Sequence, residues 1–83
     1  VSIIKNERIK QYIDTVLQQI DYEEAREEIR VVLESYFNEL VEFNNTKTDS
    51  EEGVIRKAIK DMGDPMKLGK ELAWLEALFT FDF

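Results

Sequence analysis

Apolar residues recur at intervals of three and four through most of this chain. Ile9, Ile13, Val16, Leu17 and Ile20 form the first stripe, with Tyr12 at its edge. That spacing gathers side chains on one face of an α-helix, which is predicted over residues 6–20 with Asn6 as its N-cap. A second stripe, Tyr22, Ala25, Ile29, Leu33 (with Val32), Tyr36, Phe37 and Leu40, predicts a helix over residues 21–43. It would be roughly 33 Å long at 1.5 Å per residue. Asp21 and Glu24 have capping-box spacing at its start. The polar run from Asn44 to Asp49 is the one clear loop. Val54, Ile55, Ala58, Ile59 and Met62 predict a third helix over residues 49–62, capped by Thr48 with Glu51 or by Asp49 with Glu52. Gly53 in its first turn costs ~0.5–1 kcal/mol relative to alanine. A fourth helix is predicted over residues 64–79, flanked by an apolar tail at 80–83; residues 1–5 form an N-terminal arm. The fold class is therefore all-α, a compact bundle of about four helices in a single domain over residues 1–83.

The link between the last two helices is unusually explicit. In Met62-Gly-Asp-Pro-Met66, Gly63 suits a left-handed position that ends one helix, where a Cβ would be strained. Asp64 can accept a hydrogen bond from free N–H groups of the next helix, and Pro65 fits a first turn because its missing N–H costs nothing there. Gly63, Asp64 and Pro65 thus define a tight structural corner. The expected core is Ile9, Ile13, Val16, Leu17, Ile29, Leu33, Tyr36, Phe37, Leu40, Ile55, Ile59, Leu68 and Leu72.

Composition narrows the function classes. Eighty-three residues support one small core, and 43% hydrophobic with 35% charged residues is the balance of a folded domain. The net charge of −7, from 18 acidic and 11 basic residues, repels phosphate backbones and anionic lipid heads. Nucleic acid and direct membrane binding are accordingly not the expected partners. No apolar run approaches a bilayer span. The absence of cysteine agrees with a reducing cytosol, so a cytoplasmic location is expected. The chain begins at Val1, and is expected to be processed or to be part of something longer.

Catalysis is not expected, because there is neither histidine nor cysteine, and Ser2, Ser35 and Ser50 have no visible activating partner. Glu23, Glu24, Glu27 and Glu28 crowd the start of the second helix, where the macrodipole favours anions. Arg26 and Arg30 lie within reach to neutralise them in part. A carboxylate metal site there would lack histidine and any calcium-loop motif, so no metal or cofactor is expected. Arg56, Lys57, Lys60, Lys67 and Lys70 surround the corner and allow an alternative reading, a DNA-binding helix-corner-helix over residues 54–72. Asp61, Asp64 and Glu71 are interleaved with those bases and weaken it.

Arg26 to Leu33, Ala58-Ile59, Met62-Gly-Asp-Pro65, Leu68-Gly69 and Glu71-Leu72 together resemble the HAAS-like, or permease-prefix, family of small bacterial helical domains. The similarity covers about Lys5 to Leu72. It implies a cytoplasmic accessory domain placed beside membrane spans, as in permease-like proteins and FtsW/RodA-type division and sporulation proteins. Tethering to a membrane would then come only through a parent or partner protein. The family supplies no catalytic residues. This chain departs from its pattern at Gly53 and in the tail from Ala73 to Phe83.

That tail is where a binding function is expected. Leu68, Leu72, Leu75 and Phe79 make one apolar face of the fourth helix, and Met66, Trp74, Ala77, Leu78 and Phe81 make a second. A helix apolar on both sides needs cover on both. The expected interaction patch is Trp74, Leu78, Phe79 and Phe81, contacting a protein partner or a second copy in a homodimer. The alternation of Phe79, Phe81 and Phe83 also permits a short extended segment.

Overall fold

A computed structural model describes residues 6–44 and 50–80, with side chains described over 6–43 and 50–75. Four helices follow in order: α1 (Glu7–Gln18), α2 (Glu23–Asn44), α3 (Glu51–Met62) and α4 (Pro65–Thr80). Among the described residues there is no strand, so the all-α bundle stands. The arm at 1–5, the predicted caps Thr48 and Asp49, and residues 81–83, including Phe81 and Phe83, lie outside the described residues.

Asn6 caps α1 through Oδ1, which accepts from the N–H groups of Arg8 and Ile9 at 3.0 and 3.2 Å. The helix stops at Gln18 rather than Ile20. Its last turn tightens into shorter bonds from Gln19 N–H to Val16 O and from Ile20 N–H to Leu17 O, which satisfy carbonyls that would otherwise be open. Helix α2 starts one residue later than the Asp21–Glu24 pairing requires. The Tyr22 carbonyl accepts its first bond, from Arg26 N–H, which leaves Asp21 one position outside the cap. Helix α3 is capped by Ser50, whose Oγ accepts from Gly53 N–H at 3.1 Å.

Helix α1 is the hub. It packs on all three other helices, most extensively on α4, whereas α2 packs chiefly on α3 and α1. The centre holds Ile9, Val16, Phe37 and Ile55, all but sealed from solvent, with Ile13, Leu17, Ile20, Ala25, Leu33, Val54 and Ala58 around them. Tyr12 is core rather than edge, with its ring packed edge-on to Phe37 at 5.3 Å between centroids. Ile29, Leu40, Ile59, Leu68 and Leu72 are half-buried at the margin. Tyr36, expected inside, is 50% exposed, and Tyr22 and Val32 of the same stripe also face out. The stripe on α2 is wider than its partners: α1 and α3 cover the side carrying Leu33 and Phe37, and α4 stays too far off to cover the rest.

Candidate interaction surface on the fourth helix

The corner is built from three local effects. Gly63 has φ +86° and ψ −160°, a combination essentially reserved for glycine. This is an extended, mirror-image backbone rather than a left-handed helical one, so the chain turns sharply after Met62. Gly63 N–H closes α3 onto the carbonyls of Ile59 and Lys60. Asp64 Oδ1 then accepts from Met66 N–H at 3.0 Å, and the Asp64 carbonyl accepts from Leu68 N–H, which starts α4 at Pro65. Among the described residues, helices α3 and α4 pack on each other far less than α4 packs on α1.

From there α4 runs alongside α1 in the same direction. Pro65 shares a surface recess with Arg8, Gln11, Tyr12 and Thr15, and one turn later Gly69 is pressed against Val16 and Gln19. A Cβ on Gly69 would stand 2.6 Å from the Val16 carbonyl oxygen and 2.5 Å from Gln19 Cγ. Only a residue without a side chain permits this approach. Gly69 is thus a positioning residue that sequence reasoning missed. Its signal was a glycine tolerated inside a helix, where the propensity cost of ~1 kcal/mol asks for a packing reason.

Because α1 ends at Gln18, α4 outruns it. The eleven residues after Gly69 extend about 16 Å farther at 1.5 Å per residue, and the molecule reaches 52 Å along its long axis. Leu68, Leu72 and Ala73 face the core. Trp74 lies on the far side at 65% exposure, with Met66 and Leu75 also out. Leu75 therefore does not share the packed face of Leu68 and Leu72, since the bundle beneath that face has ended by then. Met66, Trp74 and Leu75 line an open recess of about 730 Å³ with Asp64, Lys67, Lys70 and Glu71. Leu78 and Phe79 lie within the helix, Leu78 one turn beyond Trp74; their side chains are outside the described residues.

A second apolar surface lies where α2 and α4 fail to close. Ile29, Val32, Leu33 and Tyr36 of α2, Met62 of α3, and Leu68 and Leu72 of α4 line an open groove of about 520 Å³, with Glu28 and Asp61 on its rim.

Polar chemistry is sparse. Arg8 Nε meets Glu52 at 2.9 Å, tying α1 to α3, but both side chains are about half exposed. Arg30 lies 3.9 Å from both Asp14 and Glu27, so it partly neutralises the acidic start of α2. The buried Tyr12 hydroxyl has no hydrogen-bond partner among the described residues. Burial, and secondarily the negative charge of Asp64, raise its pKa above the ordinary 10.0. Among the described residues no group of three carboxylates is placed to hold a metal ion, and no helix is long and apolar enough to cross a membrane. In comparisons with known proteins, no family model matches the chain, and no curated protein or solved structure matches it.

Proposed function

We propose that the chain is a non-catalytic accessory domain that makes a protein–protein contact through the outer face of α4. One observation carries this reading: Trp74 is 65% exposed on a helix that continues past the end of α1. Large apolar anchors of this kind are what a partner's pocket desolvates. The contact patch is Trp74 and Leu78 of that face with Phe79 and Phe81, which follow in the sequence, and the Gly63-Asp64-Pro65 corner together with Gly69 sets the angle at which the patch is presented. Its occupant is a partner protein or a second copy. Placement in the cytoplasm beside a bacterial membrane protein rests on the resemblance of the corner motif to the HAAS-like family.

The test is a Trp74→Ala variant followed by circular dichroism and by light scattering over a hundredfold concentration range. Helicity and melting should match the parent chain, while any self-association of the parent is lost. A variant that fails to fold would return Trp74 to the core and remove the reading.

A further inference from the structure

Most of the apolar surface that α2 leaves uncovered lies along one regular seam, with half-buried Ile29 at its inner end and exposed Val31 off it. Ile29, Val32, Tyr36 and Phe43 recur at the three-four spacing of a coiled-coil contact line, broken once at Glu39. Val32 is 64% and Phe43 86% exposed. The inner part of this line is one wall of the groove that α4 leaves open. One residue before Ile29 and one before Phe43, at the positions that flank such a seam, stand Glu28 and Glu42, and Asp61 faces the groove from α3. The bases of α2, Arg26 and Arg30, lie on its opposite side, where they line a recess with Asp14 and Leu17 of α1. Among the described residues none of Glu28, Glu39, Glu42 or Asp61 is ion-paired.

An apolar seam edged on its open side by unpaired acids discriminates among occupants. The α2 of a second copy would set Glu28 and Glu42 against like charges, and the chain's net charge of −7 opposes self-pairing further. A helix with apolar residues at i, i+3, i+4 and i+7 and lysine or arginine beside them satisfies both the seam and its edge. We infer that the groove between α2 and α4 binds a basic amphipathic helix of a partner protein. The inference rests on the reading of this chain as an interaction domain, but it uses a surface separate from Trp74.

The probe is a fluorescein-labelled amphipathic peptide of about 15 residues, long enough for the roughly 21 Å from Ile29 to Phe43. It is built from leucine on one face and lysine elsewhere, with a leucine–glutamate twin as control. Anisotropy titrations of the full chain should show saturable binding of the lysine peptide and none of its twin. Val32→Asp should weaken binding at least about tenfold, although it adds a negative charge, because the anchor is lost. Glu28→Lys with Glu42→Lys should weaken the lysine peptide similarly and let the glutamate twin bind. Trp74→Ala should leave these titrations unchanged while abolishing association through α4, so the two surfaces fail or succeed separately. Equal binding of both peptides, or Val32→Asp within about twofold of the parent, would overturn the inference. So would a concentration-dependent dimer that Val32→Asp dissolves, since the occupant would then be a second copy.

Discussion

Single atoms decide how closely α4 can approach α1. A methyl group on Gly69 would meet the Val16 carbonyl, which belongs to a rigid helix backbone, while Gln19 can swing aside. Gly69→Ala gains about 1 kcal/mol of helix propensity but carries an overpacking cost of about 1–3 kcal/mol. The variant should therefore melt lower than the parent in thermal denaturation. Gly63→Ala should cost about 1–3 kcal/mol, because nothing but glycine occupies its backbone region comfortably; no neighbour crowds that site, so the loss is conformational. Tyr12→Phe should do the reverse. It removes a buried hydroxyl without a partner and should raise stability by about 1 kcal/mol. The raised pKa of Tyr12 means that the folded state holds the phenolic proton more tightly than the unfolded chain. That contribution is complete below pH 10.0 and is lost as pH rises through the folded-state value. Alkaline melts of Tyr12→Phe should consequently decline less steeply than those of the parent.

Helix by helix, local signals and packing diverged where an apolar stripe was wider than its cover. The stripes of α1 and α3 were legible because each is amphipathic and one face of each is buried. On α2, Tyr22, Val32 and Tyr36 keep the period of the buried set yet face solvent. Periodicity reports which residues share a face and carries no information on how many neighbours that face will find. The start of α3 also differs from the expected one: Ser50 is its cap, its hydroxyl accepting from Gly53 N–H three residues on. On α4 the packed and open sides differ in energy. Leu72→Ala should cost roughly 1–2 kcal/mol, whereas Trp74→Ala should stay within about 0.5 kcal/mol of the parent, both read from denaturant unfolding.

For the molecule as a whole, excess negative charge outweighs the ion pairs. The shortest one among the described residues, Arg8–Glu52, is half exposed and contributes ~0–1 kcal/mol. A chain with 18 acidic and 11 basic residues repels itself in the compact state. Raising sodium chloride from about 0.02 to about 0.5 M should thus raise the melting temperature, since screening relieves more repulsion than it removes attraction. A fall would mean that the surface pairs dominate.

Helix number, order and approximate length followed from spacing and punctuation alone, because amphipathic period and capping chemistry are local properties of ten to twenty neighbouring residues. So did the Gly63-Asp64-Pro65 corner, which three consecutive residues enforce through backbone geometry and one carboxylate hydrogen bond. The double apolar character of α4 was also legible, with Leu68 and Leu72 expected in the core, but not whether the side carrying Trp74 would find cover in the bundle. That depended on Gly69 letting α4 lie against the end of α1, on α1 stopping at Gln18, and on α4 continuing for eleven residues more. Exposure of Trp74 and the open groove beside α2 come from these relations between distant segments, and no local pattern encodes them.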